Sequence, residues 1–455
     1  MKTCCKIALL FFGLSVFKPA SGQTIRAGAG RKIITPTLPF LLTGYAGRNT
    51  PASAKVHDIW AKALFIEGSD KSRIVIITTD ILGLSPEIEN RVTDSLRKKY
   101  KLNRSDIILN SSHTHSGPFI WPVLGMIGDY DSTTLRSFTS YGEILSNSMI
   151  ESVEMAFGNL RSAKLSSGHG EAKFAKNRRQ PTPKGIINGI NPTGAVDHDV
   201  PVLKLESADG NIFAVLFGYA CHNTTVTGTS NVINGDYAGF AQIEIEKRYP
   251  GATALFFSGC SGDQNPQPRG TVELAAEHGK ELADAVDAVL KTKTTPISGA
   301  IKTKTVNIEL TLNPYPISHY REHLKTGNVY LQRRAKLMIE ALNKGWKIDT
   351  YKYPVQALRI GNNLTMIALA GEVVVDYSLA IKKLYPNENL FVAGYCNEVI
   401  CYIPTKKILA EGGYEAVDNM IYYGMSGPFA NSIESRIMNG IKVVMNGIGI
   451  TQTHK

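Results

Sequence analysis

The chain has 455 residues, of which 43% are hydrophobic and 20% charged, and its formal net charge is +11. That length is ample for a large buried core, and the composition is that of a globular protein rather than a disordered or fibrous one. Basic residues are scattered, with no basic stripe carrying interleaved aromatics, so nucleic acid is excluded as an expected partner while anionic surfaces or substrates stay open.

Lys2 and Lys6 precede the apolar run Ile7 to Phe17, and Ala20-Ser21-Gly22 puts small residues before Gln23. The pattern is that of a secretory signal peptide cleaved after Gly22, which predicts a secreted or periplasmic protein with a single large domain over residues 23–455. Cleavage would remove Lys2, Lys6 and Lys18 and no acid, taking the formal charge from +11 to +8. No later run of about 18 apolar residues offers a membrane span. Cys221, Cys260, Cys396 and Cys401 remain; without a CxxC pair they suit either disulfides or buried thiols.

In chain order, Ala27 to Gly47 is rich in Gly, Pro and Thr and reads as an irregular entry segment. Trp60–Ile66 and Arg73–Thr78 read as strands, Pro86–Tyr100 as an amphipathic helix with proline near its start, and Ile107–Leu109 as a buried strand. Ser140–Gly158 predicts a helix, and the polar stretch 175–200 a long loop. Ile212–Tyr219 (strand), Tyr237–Tyr249 (helix), Ala252–Phe257 (strand) and Val272–Leu290 (helix) follow. A half-exposed strand at 304–313, a charged helix over about 317–344, and strands Leu364–Ala370 and Phe391–Ala393 complete the reading. Strands alternating with helices predict an α/β fold, a mixed, largely parallel sheet flanked by helices.

Chemistry-bearing residues sit at the carboxyl ends of these strands: Asp80, His113 and His115, His222, Asp263 and Glu372, with Tyr402 after the strand at 391. In parallel α/β sheets the crevice beyond strand ends is where ligands bind. His113-Thr114-His115 would place two imidazoles on one side of an extended backbone, so a metal could take both, or one could bind metal while the other handles a proton. Two histidines, a glutamate and an oxygen donor form a typical catalytic zinc set. Phe119-Ile120-Trp121-Pro122 beside the motif suit an apolar substrate wall or core packing equally.

Asn110-Ser-Ser-His-Thr-His-Ser-Gly-Pro118 resembles the histidine motif of the neutral/alkaline ceramidase family. The likeness continues through Ile34-Thr-Pro36, Gly44-Tyr-Ala46, Asn177-Arg178, Cys221-His222, Gly235-Asp236 and Gly262-Asp263-x-x-Pro266. It extends to Gly371-Glu372, Tyr402-Ile-Pro-Thr405 and Tyr414-Glu415, spanning roughly residues 27–445. The resemblance implies a Zn2+ ion held by His113, His222, Glu372 and Tyr402. It implies that His115, Arg178 and Tyr414 hold the substrate carbonyl and form the oxyanion hole, with water attacking a ceramide or other N-acyl lipid amide directly. A membrane surface becomes an expected contact.

Two departures qualify that expectation. The family's Gly-Asp-x-Ser-Pro loop has Asn265 in place of serine, and asparagine cannot act as a nucleophile. The additional C-terminal β-sandwich domain of full-length ceramidases has no counterpart before Lys455. Open alternatives are a hydrolase of another amide or ester, such as an N-acyl sugar, a barrel-type amidohydrolase, and a non-catalytic binding protein on the same scaffold.

Overall fold

The computed structural model describes residues 25–292 and 294–452; the signal-peptide expectation lies outside the described residues. Three sheets carry most of the strands. The first runs in the order Ile107–Ser111, Arg73–Thr79, Trp60–Glu67, Arg26–Ile33 and Arg161–Ser162. The second runs Thr253–Ser258, Ile212–Tyr219, Asp199–Glu206, Lys164–Glu171 and Thr295–Ile297. The third runs Ile301–Thr311, Thr350–Ile360, Leu364–Leu369 and Leu390–Ala393.

Period-two alternation explains why these strands are apolar on both faces. Along Trp60–Glu67, Ala63 and Phe65 enter a core shared with Leu96 and Leu145 of the helices Pro86–Tyr100 and Ser132–Gly158. The alternate residues Leu64 and Ile66 face a second core. There they meet Leu203, Leu216 and Phe257 of the second sheet and Leu358, Met366 and Phe391 of the third. Each sheet is therefore sandwiched between helices and the other sheets, and a fully buried Leu, Ile or Phe contributes about 1.5–3 kcal/mol.

The expected mixed α/β domain with flanking helices is what forms, but its sheets are not largely parallel. Short turns such as residues 68–72 and 361–363 join neighbouring strands directly, and such turns permit only antiparallel pairing. Apart from isolated bridges, parallel pairing between strands of the described residues is confined to four pairs: Arg73–Thr79 with Ile107–Ser111, Ile212–Tyr219 with Thr253–Ser258, Leu364–Leu369 with Leu390–Ala393, and Glu372–Val373 with Tyr402–Ile403. Every strand-end residue of the proposed site follows or lies in one of these pairs.

Asn110 laces the three sheets together at those ends. Its Nδ2 donates to Gly394 O at 2.8 Å, and its Oδ1 accepts from Ser258 N at 2.9 Å. Bridges Asn110–Cys396, Gly259–Ala393 and Thr114–Asn223 complete the seam.

Four expectations change. Arg26–Ile33 is a regular strand inside the segment expected to be irregular. Its Gly28 and Gly30 mark close packing, since a Cβ there would lie 2.1 and 2.2 Å from carbonyl oxygens of Ala156 and Ser152. The expected loop 175–200 contains a hairpin, Ala175–Thr182 with Gly185–Asn191, held by pairing with Gln264–Pro266. The helix expected from Ser140 starts at Ser132, where Asp131 caps it. The charged helix 317–344 is two helices, Ile317–Thr326 and Val329–Asn343, with Asn328 capping the second. All four retained cysteines are buried free thiols.

Candidate metal centre and active site

The strand Ile107–Ser111 ends before the histidine motif, and His113 adopts φ 64°, a left-handed conformation that histidine tolerates better than most side chains. The two imidazoles therefore converge through a turn, not through the strand alternation expected for them, with Nε2 atoms 3.2 Å apart. His113 Nδ1 lies 2.7 Å from Leu82 O, and the ring packs on Tyr395 at 4.4 Å between centroids. His222, just past Ile212–Tyr219, places Nδ1 2.7 Å from Ser261 O.

A carbonyl accepts only a donor, so Nδ1 carries the proton in both rings and each Nε2 presents a lone pair. Glu372 Oε2 lies 3.1 Å from each of these nitrogens. Burial and then the Arg178 charge push His222 down to about 4, keeping it neutral near pH 7. Burial alone would raise the Glu372 carboxyl, but the two imidazoles beside it, His113 foremost, outweigh burial and hold the acid well below the usual carboxylate range. A buried carboxylate oxygen facing two imidazole lone pairs at 3.1 Å is repulsive unless a cation sits between them. Donors 2.0–2.2 Å from one tetrahedral ion stand about 3.3 Å apart.

Glu372 and Tyr402 are register partners on adjacent short strands, so the ladder sets their spacing. Tyr402 Oη lies 3.1 Å from His222 Nε2 and accepts from Arg178 Nη2 at 2.9 Å. The second Glu372 oxygen accepts from Tyr423 Oη at 2.5 Å, which turns Oε2 inward as a single donor atom. Arg178 is buried, donates Nε to Glu415 at 2.8 Å, and lies over the rings of Tyr402 and Tyr414. Arg179 binds the other Glu415 oxygen at 2.7 Å, so one carboxylate clamps two consecutive arginines.

His115 is held differently. Arg48 Nη1 donates to its carbonyl at 2.6 Å, Tyr45 meets its ring edge-on at 5.0 Å, and its Nδ1 is buried without a hydrogen-bond partner. Gly44, at φ 96°, makes room: a Cβ there would lie 2.5 Å from the ring. Burial and the two neighbouring imidazoles push His115 well below its ordinary value, so it is neutral at pH 7. The nitrogens of His113, His115 and His222 also lie within 4.8 Å of one another, so a three-histidine ligand set competes geometrically with the set that includes Glu372 and Tyr402. Only His113 and His222 have the carbonyl partner that orients a metal-binding imidazole.

The structure thus brings His113, His115, His222, Glu372, Tyr402, Arg178 and Tyr414 together. Two further strand-end acids are structural instead. Asp80 accepts from Trp60 N and Gln242 Nε2. Asp263 accepts from Val375 N and Asn177 Nδ2, and burial pushes it up to about 7. Phe119 and Ile120 belong to the core, with Phe119 stacked on Phe138. Tyr423 and Arg48 were not readable as site residues, since neither lies at the end of a sequence-evident strand; Tyr395, two residues past the strand expected at Phe391–Ala393, carried that signal and was missed.

A family model described as "Neutral/alkaline non-lysosomal ceramidase, N-terminal" matches residues 26–273, more than half of the chain. The chain belongs to the neutral/alkaline non-lysosomal ceramidase family. Among relatives, neutral ceramidase B of Dictyostelium discoideum is 24% identical over 273 residues, 56% of this chain and 37% of the relative. Neutral ceramidase of Pseudomonas aeruginosa is 24% identical over 278 residues, 58% of this chain and 40% of the relative. The matched part thus spans about two fifths of these relatives' lengths. The solved structure of neutral ceramidase from P. aeruginosa shares the fold, with TM-score 0.72 and 17% identity over 95% of this chain and 76% of that one. The family match includes His113, His115, Arg178 and His222 but stops before Glu372, Tyr402 and Tyr414.

Proposed function

We propose that the protein is a secreted zinc amidohydrolase that cleaves the N-acyl amide of ceramide or a related N-acyl lipid. The observation that carries this reading is Glu372 Oε2 facing the lone pairs of His113 and His222, with Tyr402 as a fourth donor. The donor set is nitrogen and oxygen, the spacing suits a tetrahedral ion, and two ligands have oriented outer partners, so the residues fit zinc. Zinc, when bound, supplies polarisation of the carbonyl and activation of water.

The remaining work falls to the chain's own side chains. His115, neutral and with one ring nitrogen unpaired, is placed to hold the substrate carbonyl or to take and return a proton at Nε2. Arg178 fixes the Tyr402 phenol by direct donation, and its charge, beside Tyr414, favours negative charge developing on the carbonyl oxygen. Glu415 keeps the guanidinium in place. Asn265 Oδ1 accepts from Arg178 Nη1 at 3.3 Å, so the residue at the family's serine position supports the arginine and supplies no nucleophile.

Lipid amides are preferred over other amides because the named relatives are neutral ceramidases. Metal analysis together with amine release from a panel of N-acyl-sphingosines, N-acyl amino acids and N-acetylated sugars tests the proposal. Less than about half an equivalent of zinc overturns the metal assignment, and release only from sugars or amino acids overturns the lipid assignment. Recovery of exported protein beginning at Gln23 tests secretion.

A further inference from the structure

The hairpin Ala175–Thr182/Gly185–Asn191 does two things at once. Its inner strand carries Arg178 into the site, while its outer strand pairs on one side only and leaves Ile187 and Ile190 each 49% exposed. A free strand edge bearing two exposed isoleucines is a liability unless something covers it. The hairpin lies at the mouth of the site: Asn188, exposed, reaches Asn265 with its side chain at 3.4 Å, and Ile186 packs where a Cβ on Gly413, beside Tyr414, would lie 3.1 Å away. Across the mouth the aromatic row continues from Tyr414 to Tyr422 and Tyr330, next to Val329, which is 44% exposed.

Charge points to the occupant. Residues 172–196 contain Lys173, Lys176, Arg178, Arg179 and Lys184 and no acid. Glu415 and Glu411 together neutralise the two arginines, whereas Lys184 is exposed at the hairpin tip. Lys173 pairs with Glu171, so it is the exposed Lys184, with no carboxylate partner among the described residues, that beside the exposed isoleucines combines the apolar and electrostatic contributions that hold a protein on an anionic lipid surface.

We propose that this hairpin is an interfacial anchor, inserting Ile187 and Ile190 into an anionic lipid surface with Lys184 against the headgroups, so that the site opens onto the lipid. The inference deepens the lipid-amide reading but is testable apart from it. Ile187→Asp/Ile190→Asp and Lys184→Glu are compared with the unaltered chain in cosedimentation. The vesicles are phosphatidylcholine alone or with roughly a third phosphatidylglycerol. Any contribution from the apolar run Ile7 to Phe17 is common to all variants and cancels.

The unaltered chain is expected to bind the anionic vesicles, more weakly at high salt. The double variant should lose at least about tenfold in partitioning and the lysine variant less. Turnover of a short-chain, water-soluble amide should stay unchanged in both. Equal partitioning of the double variant and the unaltered chain, or no vesicle binding by either, overturns the anchor. So does a dimer, seen by light scattering, that the isoleucine changes dissociate without altering vesicle binding, because the edge would then be covered by a second copy. Failure of vesicle binding with soluble-amide turnover intact removes the anchor alone. Vesicle binding without turnover of any amide removes the hydrolase reading alone.

Discussion

His113 and His222 stand on one side of the cluster, His115 and Tyr414 on the other, and the two sides are held to different tolerances. The first pair are sealed from solvent, and each commits Nδ1 to a backbone carbonyl at 2.7 Å. The second pair are partly exposed, and the buried Nδ1 of His115 has no hydrogen-bond partner. A ring whose tautomer is fixed by the backbone is suited to be a ligand, whereas a ring with an uncommitted nitrogen can change partners during a reaction. The same two-residue spacing in sequence thus yields two chemically different imidazoles.

Substitution on the sealed side should have the largest effect. His113→Ala or His222→Ala is expected to abolish stoichiometric metal binding, read by metal analysis, and with it all turnover. A full equivalent of metal in either variant would break the contrast. On the other side, His115→Ala should keep the metal yet lose about 10²–10⁴-fold in kcat. If it lost the metal instead, the three-histidine ligand set would replace the one that includes Glu372 and Tyr402.

The outer partners sharpen the comparison at smaller scale. Tyr423→Phe removes the hydroxyl that turns Glu372 inward and should weaken metal affinity by about 10–100-fold in chelator competition. An unchanged affinity would mean that the strand pairing alone orients the carboxylate. Asn265→Ser replaces one acceptor for Arg178 with another, so kcat/KM should move by no more than about tenfold. A much larger gain would point to a serine nucleophile and away from water attack.

A last prediction concerns stability. Burial raises Asp263 to about 7, above its value near 4 in an unfolded chain. Between those values the folded state keeps a proton that the unfolded state has released, so this group makes stability fall as pH rises, and the decline ends above about 7. The denaturation midpoint of Asp263→Asn should show a shallower pH slope than the unaltered protein across that window. An identical slope would mean that Asp263 does not titrate there.

Much of the catalytic half was readable before the fold was known. Ile107–Ser111, Ile212–Tyr219 and Thr253–Ser258 are short, continuous apolar runs, and the polar residue that ends each run stands out against them. Pro86–Tyr100 was exact at both ends because Ser85 caps it and proline follows. Arg26–Ile33 was missed because its glycines record the approach of a helix more than a hundred residues later. The hairpin at 175–191 was missed because its strands lack an apolar period, one edge facing water and the other pairing with Gln264–Pro266.

What the sequence determined by itself was local and chemical: which residues can ligate, where strands stop, and that the spacing of motifs matches a known family. Helix caps, apolar runs and side-chain types act over a few residues, so they are written where they operate. The family resemblance already implied a division of roles between the two histidines of one motif; only the tertiary structure shows the contacts that set the two rings apart. That division depends on Leu82 and Ser261 offering carbonyls to His113 and His222, and on Glu372 being set beside Tyr402 by a two-residue parallel ladder. It also depends on Arg48 and Gly44 seating His115 in a pocket that gives its Nδ1 nothing to bond. These partners act across tens to hundreds of residues, and hydrogen-bond geometry at three ångströms is fixed by packing, which no local pattern encodes.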